Sequence, residues 1–162
     1  MVYNNYVVEI SGDKWWTTFM FIGEYQHNID DKNRLAMPVK FRAELKSGAV
    51  VTPGLDNCLF LFTKSNWQKL AEKLASQPLG RADARGFSRI MLAGAMDVKL
   101  DSLGRILLPD YLKKYAGLNK KIVVAGLYSR LEIWDEEIWH KYKKQVENQA
   151  ENLAEKMGEM GV

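Results

Sequence analysis

The chain has 162 residues and a mass of 18.6 kDa, and 47% of its residues are apolar while 27% are charged. These proportions are typical of a chain that buries a core, and they exclude a disordered protein. The length excludes a large multidomain enzyme. The net charge of +3 hides an asymmetry: the last 28 residues carry four Lys against seven acids, and the preceding 134 carry 19 basic against 13 acidic residues. A basic body favours a polyanionic partner, with a merely solvated surface as the alternative.

The residue types that support catalysis or metal binding are scarce. Cys58 is the single cysteine and there are only two histidines, so we expect no internal disulfide, no Cys-based zinc site and no cofactor. No glycine-rich phosphate loop or spaced pair of carboxylates suggests an active site, so we expect neither an enzyme nor a small-molecule substrate. No stretch approaches the roughly 18 apolar residues of a membrane helix, and we expect a soluble, cytoplasmic protein without a membrane partner.

Residues 1–19 come first and have no counterpart later in the chain. They carry aromatic residues without a helical or strand period: Tyr3, Tyr6, Trp15 and Trp16. Two interpretations stand. Either translation begins at Met20 and this extension is a mis-assigned start, or it is a native tail that adds an aromatic contact. We expect the first, and therefore an extension that is disordered and lacks fixed contacts.

The rest of the chain repeats itself. At an offset of 71, matching pairs include Gly23 and Gly94, Asp30 and Asp101, Arg34 and Arg105, and Pro38 and Pro109; one residue further on, Gly54 matches Gly126 and Trp67 matches Trp139. Chance matching of these residue types in one order is improbable. We predict two copies of one unit, over residues 20–80 and 91–146, joined by a basic helix over 81–90 and followed by an acidic amphipathic tail over 147–162.

Each copy is predicted to alternate short strands, turns and short helices. In the first copy we predict strands over Phe21–Ile29, Leu35–Pro38, Ala49–Thr52 and Leu59–Phe62, and helices over Val39–Leu45 and around Trp67; in the second, a helix over Asp110–Tyr115, strands over Ile122–Ala125 and Leu131–Trp134, and a helix around Trp139. Such a unit is too small to bury its own core. The two copies should therefore pack on each other in a mainly β, α+β fold.

Both copies place a residue that tolerates a left-handed backbone, Asn33 or Gly104, just before the arginine of a tight hairpin turn. Asp30 and Asp101 lie four residues before Arg34 and Arg105. We predict that each Asp orients its turn, either by accepting backbone N–H bonds or by pairing with the Arg. The alternative, favoured for the Asp residues, is a purely structural salt bridge.

Two helical segments lack an assigned partner. Arg81, Arg85 and Arg89 recur every fourth residue and would form one stripe, lining either a phosphate path or an oligomer contact. A solvated face with one or two Arg bonded to helix ends is the alternative that we favour. Apolar residues after Trp139 predict one amphipathic C-terminal helix with an acidic outer face; we expect it to dock on its own chain, or failing that on a second subunit. These apolar residues are Tyr142, Val146, Ala150, Leu153 and Met157.

The segment from Met20 to Pro38, MFIGEYQHNIDDKNRLAMP, followed by Phe41-Arg42, resembles the opening of the MraZ family of bacterial transcriptional regulators. The resemblance covers about residues 20–155 and includes both Asp-x-x-x-Arg motifs, each followed by Pro four residues later. Asn33 departs from the Gly more usual in that family. The resemblance implies a tandem swapped-hairpin, AbrB-like β-barrel fold. It also implies binding to repeated DNA elements upstream of the division and cell-wall genes, association with the nucleoid, and ring-like homo-oligomers.

The charges around the first turn supply a physical reason for DNA binding. Residues 32–46 carry five cations against the single acid Glu44, and an Arg presented from a β-ribbon can reach guanine in the major groove. The second turn has Leu103 and no cation besides its Arg, which suits a protein contact better. The predicted DNA-binding residues are Lys32, Arg34, Lys40, Arg42 and Arg105. The competing functions are an antitoxin-like or scaffolding module without DNA binding, and RNA binding.

Overall fold

The computed structural model describes residues 19–161, so the expectations for Tyr3, Tyr6, Trp15 and Trp16 lie outside the described residues. The strands are β1 (Phe21–Asn28), β2 (Arg34–Ala36), β3 (Ala49–Pro53), β4 (Leu59–Thr63), β5 (Met96–Val98), β6 (Arg105–Leu107), β7 (Lys121–Tyr128) and β8 (Arg130–Asp135). The helices are α1 (Arg42–Leu45), after a 3₁₀ turn over Val39–Phe41, α2 (Lys64–Ala75), α3 (Ala82–Ser88), which continues as a π-helical segment over Arg89–Ala93, α4 (Asp110–Tyr115), α5 (Glu136–Glu147) and α6 (Ala150–Glu159).

The two copies interlock through exchanged strands. The six-stranded antiparallel sheet has the order β1-β7-β8-β4-β3-β5, so the first strand of each copy pairs with the third strand of the other. This order reads the same from either edge when the copies are exchanged. A second, two-stranded sheet pairs β2 with β6. The predicted mainly β, α+β fold and the packing of one copy on the other are confirmed.

A pseudo-two-fold axis follows from the strand register. In the small sheet Leu35 lies opposite its own counterpart Ile106, and in the large sheet Phe60 lies opposite its counterpart Glu132. Because side chains alternate across a strand, Leu35 and Ile106 point between the sheets, where they are 0% and 1% exposed. Burying each of them stabilises the fold by about 1.5–3 kcal/mol. The core therefore fixes the β2–β6 ribbon on the body, with its other face outward.

Helices α2 and α5 follow the last strand of each copy and begin at side-chain caps. Thr63 accepts a hydrogen bond from the Asn66 N–H, and Asp135 accepts from two backbone N–H groups of the first turn of α5. The ring centroids of Trp134 and Trp139 lie 5.3 Å apart, so α5 covers the outer face of β8. Within residues 19–161, no helix is long and apolar enough to cross a membrane.

The C-terminal segment differs from its prediction. One continuous helix was predicted, but α5 ends at Glu147 and α6 begins at Ala150, and the whole of α6 is exposed. The predicted docking on its own chain therefore holds for Tyr142 on α5, whose ring centroid lies 5.1 Å from that of Trp134, and is wrong for α6. The sequence between the helices is Asn148-Gln149, and Asn is a weak helix former because its side chain competes for backbone hydrogen bonds.

Two further differences concern smaller segments. The Arg81 stripe is only partly helical, since Arg81 caps α3 and Arg89 opens the π-helical segment. Phe19, which the predicted extension includes, packs edge-on against Phe21 and Phe41, with ring centroids 5.1 and 6.3 Å away. The expectation that the extension lacks fixed contacts is thus wrong for its last residue.

Candidate nucleic-acid interface

The outward face of the β2–β6 ribbon collects both arginines of the duplicated motif. Since Leu35 and Ile106 point into the core, their strand neighbours point outward. In the register, Arg34 lies opposite Leu107 and Ala36 lies opposite Arg105. The two arginines are therefore diagonal neighbours across the pseudo-two-fold axis, on one surface rather than on two separate hairpin tips.

The first turn is closed by the carboxylate of Asp30. Its Oδ1 accepts the backbone N–H groups of Lys32 at 2.9 Å and Arg34 at 3.0 Å, while its Oδ2 accepts Arg34 Nε at 2.7 Å and lies 2.7 Å from Nη2. Asn33 takes a φ of +59°, as the turn requires. The hydrogen bond from the Arg34 side chain, together with those from the backbone, lowers the pKa of Asp30 to about 2.

The second turn repeats this geometry. Asp101 Oδ1 accepts the N–H groups of Leu103 and Arg105, both at 2.9 Å, and Oδ2 lies 2.8 Å from both Arg105 Nε and Nη2. Gly104 has a φ of +74°. The backbone hydrogen bond from Arg105 leads the causes that lower the pKa of Asp101. Each Asp thus closes its turn and also orients its arginine.

The two turns are joined across the axis. Arg105 Nη1 lies 3.7 Å from Asp30 Oδ2, so Arg105 faces two carboxylates. A guanidinium offers five N–H donors in a fixed fork, and each Asp occupies the Nε edge of its own arginine. The outer edge of Arg34 remains for a ligand, and its side chain is 33% exposed against 23% for Arg105. Arg34 is therefore the better placed of the two for bidentate contact with a base or a phosphate.

Each turn rests on the other copy. Asn33 donates to Asp110 Oδ1 at 2.6 Å and accepts from Lys113 Nζ at 2.6 Å. At the second turn, a Cβ on Gly104 would collide with the Arg42 guanidinium, whose Nε donates to the Met37 carbonyl at 2.9 Å. Arg42 is half-buried, so part of its hydrogen-bonding capacity serves the fold.

The other predicted cations lie around this ribbon. Lys32 is exposed at the tip of the first turn. Lys40 is also exposed, and its Nζ lies 5.6 and 5.4 Å from the ring centroids of Tyr25 and Phe41. The prediction missed Lys113, which the structure brings to the first turn. The signal that could have found it is the duplication itself, because Lys113 is the counterpart of Arg42 at an offset of 71.

The second turn carries exposed apolar groups where the first carries polar ones. Leu103 is 62% exposed at its tip, and Leu107, beside Arg34 on the ribbon, is 60% exposed. Within residues 19–161, no group of three His, Cys, Asp or Glu side chains is placed to hold a metal ion. Burial raises the pKa of the Cys58 thiol, which donates to the Leu55 carbonyl. Such a thiol is a poor nucleophile.

Comparison with known proteins places these turns in a family. Residues 20–90 and 91–160 each match the model of the family described as "MraZ protein, putative antitoxin-like". A protein of Moorella thermoacetica named "Transcriptional regulator MraZ" is 50% identical over 138 residues, which is 85% of this chain and 96% of the relative. A protein of the same name from Desulforamulus reducens is 49% identical over 136 residues, which is 84% of this chain and 96% of the relative. Another from Clostridium tetani is 46% identical over 143 residues, which is 88% of this chain and 100% of the relative. Each of the two regions that match the family model, residues 20–90 and 91–160, contains one of the two Asp–Arg turns.

Proposed function

The chain belongs to the MraZ family, and from this premise we propose that it is a transcriptional regulator that binds promoter DNA in a sequence-specific manner through the outward face of the β2–β6 ribbon. The relatives' name supports regulation of transcription. The ribbon supports the site, because the major groove of B-DNA admits a two-stranded β-ribbon. In this proposal Arg34 reads a guanine edge, and Lys32, Lys40 and Arg42 contact phosphates.

The observation that carries the proposal is the pairing of Arg34 and Arg105 with Asp30 and Asp101 on one exposed ribbon. The carboxylates hold the guanidinium planes in fixed directions before any ligand arrives, so a bidentate contact costs little side-chain entropy. The paired carboxylates also offset the charge of the arginines. Phosphate attraction then falls to the flanking lysines, while the arginines contribute base selectivity.

Further parts of the proposal follow the resemblance to the family. We propose that the DNA elements are repeats upstream of the division and cell-wall gene cluster, that several chains assemble into a ring-like homo-oligomer, and that the protein acts on the nucleoid. A single ribbon offers few contacts, so several linked ribbons on repeated elements would gain affinity by multivalency. The protein would act by binding rather than by catalysis.

A second candidate function is a scaffolding or antitoxin-like module that binds protein instead of DNA. The exposure of Leu103 and Leu107 favours it, because apolar side chains at a turn tip and on a ribbon suit a protein partner. The two candidates place opposite demands on Arg34, which is necessary only if DNA is the ligand.

Footprinting of the purified protein on DNA upstream of its own gene, at stated salt, tests the proposal. We expect protection of repeated elements by the unaltered protein and loss of protection with Arg34→Ala. Lys69→Ala, an exposed cation on α2, is the control that should leave the footprint intact. Equal weak binding to all sequences would contradict sequence-specific binding, and an absence of binding would favour the protein-binding module.

A further inference from the structure

Leu107 lies beside Arg34 on the outward face of the β2–β6 ribbon. The two residues are opposite each other in the strand register. The Leu108 N–H donates to the Asn33 carbonyl at 2.9 Å, so the next pair along the ribbon, Arg34 with Leu107, is a non-hydrogen-bonded pair. In such a pair the Cα atoms are about 4.5 Å apart and the side chains lie close together. A ligand that contacts Arg34 is therefore within reach of Leu107.

The side chain of Leu107 is not used by the core. Leu107 is 60% exposed, while Ile106 and Leu108, on the opposite face of the same strand, are each 1% exposed. The face of an antiparallel sheet that is turned to water is usually polar, and the rest of this face carries Arg34 and Arg105. The apolar surface of Leu107 is therefore available to a ligand that lies along the ribbon.

The duplication places a shorter side chain at the corresponding position of the first copy. At the offset of 71, Leu107 matches Ala36, and Ala36 lies opposite Arg105. A pair of an arginine and an apolar residue thus occurs twice about the pseudo-two-fold axis. Arg34 is the more exposed arginine, and Arg105 faces two carboxylates. One half of the ribbon therefore combines the freer guanidinium with the longer apolar side chain.

The major groove of B-DNA determines what a leucine beside an arginine can read. The base edges there present hydrogen-bond donors and acceptors, and thymine adds an apolar group, its C5-methyl. Arginine pairs with O6 and N7 of guanine. Successive bases are about 3.4 Å apart along a strand, which is close to the separation of about 4.5 Å within the cross-strand pair. The spacing therefore suits a guanine and a thymine in adjacent base pairs.

We propose that Leu107 contacts the C5-methyl group of a thymine in the base pair next to the guanine that Arg34 reads. The inference rests on the proposed binding of DNA by the ribbon and adds a second base contact to it. Ala36, beside Arg105, is too short to make a matching contact. The ribbon consequently reads its DNA element asymmetrically, although its backbone is nearly symmetric.

Removal of the methyl group from the DNA tests this contact. In the element that the protein protects, each thymine next to a guanine is replaced in turn by deoxyuridine, which keeps the base pair and lacks only the C5-methyl. One of these replacements should weaken binding by the unaltered protein about fourfold, the value of one buried methyl group. Leu107→Ala should bind the thymine element at least as weakly and lose nothing further on the deoxyuridine element. Titration of both duplexes with both proteins gives the four dissociation constants.

Leu103→Ala is the matched control, because Leu103 is 62% exposed but lies at the tip of the second turn, outside the Arg34–Leu107 pair. It should bind like the unaltered protein and keep the full sensitivity to deoxyuridine. Leu107→Met retains an apolar side chain of similar size and should keep that sensitivity as well.

Four results would overturn the inference. The first is an equal effect of deoxyuridine on Leu107→Ala and on the unaltered protein, since the methyl group would then act without Leu107. The second and third are the absence of any deoxyuridine effect and an element without a thymine next to a guanine. The fourth is tight binding by Leu107→Ala, which would leave Leu107 to a protein partner. The proposed function survives all four, because the protein still binds DNA, whereas an unaltered protein that binds no element would overturn both proposals.

Discussion

The two Asp–Arg turns share their hydrogen bonds but differ in what surrounds them. Corresponding distances agree within 0.1 Å, from 2.7 to 3.0 Å in the first turn and from 2.8 to 2.9 Å in the second. The tips differ, with Lys32-Asn33 in one and Leu103-Gly104 in the other. The Asp and Arg therefore serve the fold in both copies. Function can diverge only at the tip and at the outer edge of each arginine.

The position before each arginine, Asn33 in the first turn and Gly104 in the second, should have the largest effect on stability. Gly104→Ala puts a side chain on a backbone with a φ of +74°, and its Cβ displaces Arg42, which then loses its hydrogen bond to the Met37 carbonyl. We expect a loss of about 2–3 kcal/mol in the free energy of unfolding, from left-handed strain and one hydrogen bond. Asn33→Gly keeps a tolerated backbone and should lose about 1 kcal/mol or less.

Urea unfolding of Gly104→Ala, Asn33→Gly and the unaltered protein measures the free energy of unfolding that each substitution costs. Equal losses would show that the two tips are equally constrained. A larger loss for Asn33→Gly would show that the bonds to Asp110 and Lys113 matter more than the contact of Gly104 with Arg42.

The next largest difference is expected between Arg34 and Arg105 in their contributions to DNA binding. Arg34→Ala is expected to weaken specific DNA binding by about 1–3 kcal/mol per subunit, the value of one good base contact. Arg105→Ala should have a much smaller effect, because Arg105 faces Asp101 and Asp30 and is less exposed. Titration of promoter DNA with each variant measures the difference. Equal losses would contradict the asymmetry, and no loss for either would contradict the ribbon as the DNA site.

Exchanging the residue types at the two turn tips, Lys32 and Leu103, should have a smaller effect on DNA affinity and should also change its salt dependence. If Lys32 contacts a phosphate, Lys32→Leu should weaken binding several-fold on all sequences and reduce the logarithmic salt slope by about 0.9. Leu103→Lys should leave the slope unchanged if the second tip does not approach DNA. A steeper slope for Leu103→Lys would place that tip at the DNA as well. Lys40 and Arg42 admit the same test.

Much of the fold could be predicted from the sequence because local rules determine it. The duplication showed that the copies must pack together, and the left-handed positions Asn33 and Gly104 located both turns. The break between α5 and α6 was missed because the apolar period runs through Asn148-Gln149. Periodicity reports which residues share a face, but it cannot say whether another surface is within reach of that face.

The candidate site was predictable in its members more than in its arrangement. The motif identified Arg34 and Arg105, but their place on one ribbon depends on strand exchange, which brings Arg105 to Asp30. Only the register of β2 with β6 supplies that arrangement. Lys113 contacts a turn 80 residues away in sequence, and comparison of the two copies could have pointed to it as the counterpart of Arg42.

The last and smallest expected difference concerns acid. The folded state lowers the pKa of both Asp carboxyls, that of Asp30 to about 2. Each ionised carboxylate therefore stabilises the folded state fully at a pH above the pKa of Asp in the unfolded chain. This stabilisation is lost as the pH falls through the pKa of the folded state. For Asp30 this window runs from about pH 4 down to about pH 2. Asp30→Asn should flatten the decline of the urea midpoint in that window more than Asp101→Asn, because the carboxylate of Asp30 faces both arginines and that of Asp101 only its own. Asp31→Asn, an exposed neighbour, is the control and should follow the unaltered protein. A decline that is the same in all four proteins would contradict the carboxylates as the source of the acid sensitivity. A stronger flattening with Asp101→Asn would show that the contact of Arg105 with Asp30 across the axis contributes nothing to stability.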